Sequence, residues 1–342
     1  MSDYYLKNLR ILVAKLETTP GTMETITSAD FDTRVRAPEV TPTIEVDDES
    51  SKYANGHHGE DEVVMGAQSS QVAFNVRMTC AATVTSEPKW WKFAKGCGLE
   101  AAAWGSAGIG LYPRKAYDEQ TLTIWVYDIQ RGSSPSAVCY KMSGCMGNMV
   151  IGAEGVGKPW MANFTFTGKM EDIDMAVSNG DILELISPDT TCSDKMLNNT
   201  LLIGTTAINT STFSFDPGNE IQPQINQAEA TGYDYFAITS RKPRLSINPL
   251  LQANRDVWGD LTSGLTGCPG TYEIMLGDTG LDNKYTLRVP KAQVISASLA
   301  DREGLVNWDQ NWKCLTNGTT GALSDSDLTV EDTFELLQGS RS

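Results

Sequence analysis

Gln71-Val72-Ala73-Phe74-Asn75-Val76-Arg77-Met78 sets an apolar side chain at every second position, and Asn163-Phe164-Thr165-Phe166-Thr167 repeats the pattern. Side chains alternate across a pleated strand, so this period marks antiparallel strands with one face on a core. Working outward, Val40, Ile44 and Val46 alternate with polar residues, and so do Leu122, Ile124 and Val126, with Trp125 and Tyr127 on the other face. The pattern returns with Phe213 and Phe215 around Ser214, Leu245 and Ile247 around Ser246, and Leu287 and Val289 around Arg288. The chain therefore reads as mostly β. A helix is expected over Glu87 to Cys97, where Ser86 can cap, Pro88 suits a first turn, and Gly96 and Gly98 stop it. Leu328 to Leu337 is a second helical candidate.

The organisation reads as five segments: an arm over 1–37, a first domain over 38–177, a linker over 178–204, a second domain over 205–318, and a tail over 319–342. Long polar loops are expected over 47–68 and 216–232. The halves echo one another in order. Thr43-Ile44-Glu45-Val46-Asp47 resembles Thr212-Phe213-Ser214-Phe215-Asp216, and Trp160-x-x-Asn163-Phe164 resembles Trp308-x-x-Asn311-Trp312. Between them lie a central strand and a Trp-containing segment near Trp90 or Trp258, one short helix for each half. A repeated order signals a repeated structural unit.

Composition narrows the function classes. The 342 residues are 40% hydrophobic, enough for sizeable cores. No apolar run approaches the roughly 20 residues of a membrane helix. Ile11-Leu12-Val13-Ala14 is cut short by Lys15 and Glu17, so a soluble chain made in a cytoplasm is expected. The net charge of -16 argues against gripping phosphates, which needs clustered Lys and Arg. Cys80, Cys97, Cys139, Cys145, Cys192, Cys268 and Cys314 form no C-x-x-C pair and read as buried thiols.

Three stretches carry residue types associated with chemistry. Gly152 to Lys158 matches a phosphate-binding loop, but Pro159 stands where Ser or Thr must hold magnesium, and a strand follows; a glycine-rich turn is expected. His57 and His58 with Glu60 and Asp61 have metal-ligand residue types, yet adjacent histidines make a poor first shell. Spacing selects no carboxylate pair among the 43 acids for glycoside chemistry. Neither an enzyme nor a cofactor is implied.

Leu9-x-x-Leu12-x-x-Lys15-Leu16-Glu17-x-x-x-Gly21-Thr22, followed by Pro38-Glu39-Val40-Thr41-Pro42, resembles the amino-terminal signature of tail tube (major tail) proteins of long-tailed bacteriophages. Ile238-Thr239-Ser240-Arg241-Lys242-Pro243, Val289-Pro290-Lys291-Ala292-Gln293-Val294 and Asp301-Arg302-Glu303-Gly304-Leu305 follow in that family's order. The resemblance implies two tandem tube-type β-sandwich or barrel domains, each with one short helix, plus an amino-terminal arm. It implies stacked rings of the chain itself that form the hollow tail tube of a virion, and with two such domains in each chain three chains would close a pseudo-sixfold ring. Further partners are then the tape-measure protein, the tail terminator and tail tip proteins, with genomic DNA passing through the lumen unbound and no membrane involved. Glu45, Asp47, Asp301 and Glu303 are candidates for lumen-facing acids that repel phosphate. Asp48, Glu49, His57, His58, Glu60, Asp61, Asn219, Glu220 and Gln224 are candidates for contacts between rings. The alternative is a two-domain β-sandwich carbohydrate-binding or adhesin protein.

Overall fold

The computed structural model describes residues 4–5, 10–47, 64–81, 83, 85–104, 108–114, 120–131, 136–178, 195–197, 199–250, 257–262, 271–277, 284–302, 304–316 and 333–339. Strands dominate. The first half holds β1 (Tyr4–Tyr5), β2 (Ile11–Leu16), β3 (Arg36–Asp47), β4 (Val64–Arg77), helix α1 (Trp91–Lys95), β5 (Leu99–Trp104), β6 (Gly108–Pro113), β7 (Leu122–Arg131), β8 (Ser136–Ala153) and β9 (Met161–Ser178). The second half holds β10 (Thr200–Ile203), β11 (Thr206–Ile208), β12 (Thr210–Asp216), β13 (Asn219–Ile225), β14 (Tyr233–Arg241) and β15 (Arg244–Pro249). Helix α2 (Val257–Thr262) follows, then β16 (Tyr272–Gly277), β17 (Tyr285–Arg302), β18 (Leu305–Cys314) and β19 (Glu335–Gly339).

All the strand pairs are antiparallel, and the halves repeat one order. In the first, the neighbours run β2, β7, β8, β9, β4, β3. In the second they run β10, β16, β17, β18, β15, β12. Each half carries its helix between the fifth- and second-named strands in chain order: α1 between β4 and β7, and α2 between β15 and β16. Registers correspond as well. Arg36, Asn75, Asn163 and Val150 lie across one rung of the first half, and Ser214, Ser246, Asn311 and Ser296 across the matching rung of the second. The repeat heard in the sequence thus has a counterpart in pairing, with one correction. The Trp160 and Trp308 echo aligns, whereas Ser214 is in register with Arg36 rather than Glu45.

Among the described strands, two ladders join the halves. β12 pairs along its outer edge with the end of β8, Phe213 opposite Ala153 and Phe215 opposite Ile151. β19 inserts between β17 and β6, so it is hydrogen-bonded on both edges. One hydrophobic cluster runs through both halves, taking in Phe74, Trp91, Phe164 and Phe166 with Phe215, Leu245, Leu287 and Trp312. Stacked and edge-on aromatic pairs, such as Phe74 and Phe93 with ring centroids 4.8 Å apart, give it shape as well as apolar area.

Several expectations change. The arm over 1–37 contains β2, whose Leu12, Val13 and Ala14 are buried. Leu12 and Ala14 face the main cluster while Val13 faces a second one with Phe31 and Tyr127, so both faces are covered and no clean alternation is left to read. The helical candidate over 328–337 is strand β19 where it is described, because Phe334, Leu336 and Leu337 are all buried between sheet neighbours. The polar loop over 216–232 is largely the β13–β14 hairpin, whose Ile221 and Ile238 pack with Met146, Tyr233 and Phe236. The expected helix over 87–97 is helical only at its centre, and no side chain caps it. Most of the 47–68 loop lies outside the described residues. Of the Gly152 to Lys158 stretch, Gly152 and Ala153 end β8 and Glu154 to Gly157 form the glycine-containing turn toward β9. The five described cysteines are buried and form no disulfide, and burial drives the Cys97 and Cys145 thiols well above their ordinary pKa. Among the described residues no helix is long and apolar enough to cross a membrane.

Candidate functional site

Strands that put Phe, Leu and Trp on the core must turn their alternate residues the other way. Across β4, β9, β8, β12, β15 and β18 most of those alternates are short and polar, with Val150 and Met161 among them, and the sheet bends around a groove of about 1050 Å³. Asn75, Asn163, Gly152, Ser214, Ser246, Asn248 and Asn311 line it, joined by the charged Arg36, Glu154, Lys158 and Asp309. The acids and bases named balance, so the groove does not share the chain's net charge of -16. A side-chain ladder crosses it: Ser246 Oγ donates to Asn311 Oδ1 at 2.5 Å, and Asn311 Nδ2 donates to Ser296 Oγ at 3.0 Å.

The groove spans the seam between halves, and specific residues hold the seam. Phe213 is buried against Trp160, ring centroids 4.6 Å apart. A Cβ on Gly152 would lie 2.9 Å from the Phe213 carbonyl oxygen, so glycine permits the close approach of the two backbones. Asn248 Oδ1 accepts from the Thr212 N–H at 2.9 Å and from Thr210 Oγ1 at 3.0 Å, fixing the bulge that starts β12. At the other end Asn148 Nδ2 donates to Asp216 Oδ1 at 2.7 Å. These bonds satisfy the polar groups of a short strand pair and set its register.

Of the residues singled out in the sequence, the described side chains of Asp301, Asn219, Glu220 and Gln224 do not line this groove. Glu45 and Asp47 belong to β3. Asp301 is exposed at the end of β17, where its Oδ1 accepts the Gly304 N–H at 2.8 Å and closes the turn into β18. Glu303, Asp48, Glu49, His57, His58, Glu60 and Asp61 lie outside the described residues. Asn219 is engaged within the chain: its Nδ2 donates to the Cys97 and Gly147 carbonyls at 2.9 and 3.0 Å, and its Oδ1 accepts from Arg241 Nε at 3.0 Å. Glu220 pairs with Lys242, which holds its carboxyl below the ordinary carboxylate pKa, and Gln224 is exposed on β13. The groove's own acids are Glu154 and Asp309, neither of which stands out in the sequence. Their signal is faint in sequence, because polar residues between apolar ones look the same whether they face a groove or open solvent.

The groove offers hydrogen-bonding groups, and among the described residues no group of His, Cys, Asp and Glu is placed to hold a metal ion. What it can do is present a hydrated, weakly charged wall. No protein-family model matches the chain, and no curated protein matches it.

Proposed function

We propose that this chain is the tail tube subunit of a long-tailed bacteriophage, a structural protein that closes into rings and stacks into a hollow conduit. The observation that carries the reading is the pairing order. Two halves with the same strand order share one sheet through the β12–β8 seam, and that seam runs along a groove where Asn, Ser and Gly alternate with apolar residues such as Val150 and Met161. Each chain supplies two tube-type domains, so three chains make a pseudo-sixfold ring. Head-to-tail stacking of rings does not close and therefore builds a filament.

The groove becomes part of the channel wall. A lining of Asn, Ser and Gly with balanced charges gives phosphate few cations to bind, and salt-dependent retention of DNA requires clustered cations. DNA and the tape-measure protein pass along it, and the tail terminator and tip proteins meet the two ends of the tube. Carbohydrate binding is disfavoured by the same wall, which presents no exposed aromatic platform for a sugar face.

Negative-stain microscopy of the purified chain tests the reading. Hollow tubes or rings with threefold or pseudo-sixfold symmetry are the expected result. A monomer at every concentration, or rings of six chains, overturns the respective part.

A further inference from the structure

The chain's own seam has a counterpart that is left open at both ends of the repeated unit. Within the chain, residues 213–215 of β12 pair with residues 151–153 of β8. The rungs shared by the halves put Arg36 where Ser214 stands, and put Ser298 where Gly152 stands. Among the described residues β3 pairs only with β4, and β17 beyond Ala292 pairs along one edge only, with β18. The strand that fills the seam in one half is therefore an outer edge in the other, and its docking strand is an outer edge too. An edge of this kind is a template for another chain.

Burial points the same way. Ala153 is 4% exposed because the seam covers it, whereas Leu299, its equivalent on β17, is 61% exposed. Trp160 is fully buried under Phe213, whereas the equivalent Trp308 is only half-buried. The tip of the β17–β18 hairpin adds exposed Leu305 and Val306. Charges are complementary across the two edges: Arg34 and Arg36 are exposed at the start of β3, and Asp301 and Asp309 are exposed on the hairpin.

We propose that residues 35–37 of one copy pair antiparallel with residues 297–299 of a second copy, Arg36 opposite Ser298, repeating the β12–β8 seam between chains. The proposal rests on the tube reading and gives it a partner surface and a register. Val35, already packed on the main cluster, then takes the place of Phe213 beside Leu299 and Trp308. A proline ends the short stretch in both cases, Pro217 after β12 and Pro38 within β3, since proline brings no N–H to a ladder. Ser298 carries a Cβ where Gly152 has none, so the second copy's strand sits slightly farther out than β12 does.

The test uses the full chain with R36C and S298C combined, assembled and then mildly oxidised. Residues directly opposite in an antiparallel pair have Cα atoms about 4.5–5.5 Å apart, within disulfide reach. Covalent dimers and trimers are expected on a denaturing gel, and none from the parent chain or from R36C with S296C. Tubes that form while R36C/S298C stays uncrosslinked overturn the register and leave the tube reading standing. A chain that never assembles overturns both. Leu299→Asp supplies the second measurement: the monomer keeps its melting temperature within about 2 °C, while assembly drops at least tenfold. Tubes formed at the parent's yield by Leu299→Asp overturn the proposed surface.

Discussion

Replacing Glu17 with glutamine tests whether the amino-terminal segment is built into the core. The carboxylate is 6% exposed and has a donor on every side. Oε2 accepts from Thr121 Oγ1 at 2.5 Å and from the Gly21 N–H at 2.8 Å, and Oε1 accepts from Thr123 Oγ1 at 2.9 Å and the Gly144 N–H at 2.8 Å. Gly21 and Gly144 have left-handed backbones, φ 79 and 58, and β14 crosses close above both. A carboxamide nitrogen donates, so whichever end of Gln it occupies, it faces one of these backbone N–H groups. The threonine hydroxyls can rotate to accept; the buried N–H cannot. One unsatisfied amide costs about 1–3 kcal/mol.

The pH dependence has a definite sign. Burial, the largest influence, raises the Glu17 pKa despite hydrogen bonds from Thr121, Gly144, Thr123 and Gly21 that lower it. The folded chain therefore holds this proton more tightly than the unfolded chain does. The resulting stabilisation is fully present below the ordinary value of 4.5 and is lost as pH rises through the elevated folded value. Glutamine has no such titration, so the deficit of Glu17→Gln should widen as pH falls from neutral toward 4.5. Urea denaturation followed by tryptophan fluorescence at the two pH values measures it. A deficit below about 0.5 kcal/mol, or one that shrinks on acidification, refutes the reasoning.

Other expectations follow from the same packing. Phe213→Ala removes the ring against Trp160 and should cost about 3–5 kcal/mol in chemical unfolding; a loss under about 1 kcal/mol contradicts a buried seam. Arg288 bonds Glu273 at 2.6 Å and Glu335 at 3.0 Å, and Glu335 is buried, so Arg288→Met should cost about 3–5 kcal/mol. Adding Glu335→Leu should recover most of that loss, and an equal loss in the double variant argues against a desolvated pair. Leu336→Ala, in the strand that bridges the halves, should cost about 2–5 kcal/mol by thermal unfolding; a neutral result removes β19 from the core. Asn163→Lys with Asn311→Lys should make assembled tubes retain duplex DNA at low salt and release it as salt rises, read by co-sedimentation. Tubes indifferent to these lysines place the groove outside the channel.

Sequence alone determined the elements whose signal is local. Phe74, Phe164, Phe213 and Leu245 each stand in an alternating run, and alternation is imposed by the pleat of the strand that carries it. The order of such runs also exposed the repeat, because order survives where individual matches are short. Tertiary structure decided the rest. β2 and β19 are strands because neighbours cover Leu12, Val13, Leu336 and Leu337 on more than one side, which erases the alternation that identifies a half-buried strand. The groove residues Asn75, Ser214 and Asn311 are polar for reasons a linear reading assigns to solvent. The seam between Phe213 and Ala153, and the two edges left without a strand, depend on pairings between distant parts of the chain. Hydrogen bonds across a sheet join whichever backbones arrive side by side, and only the whole fold settles which ones do.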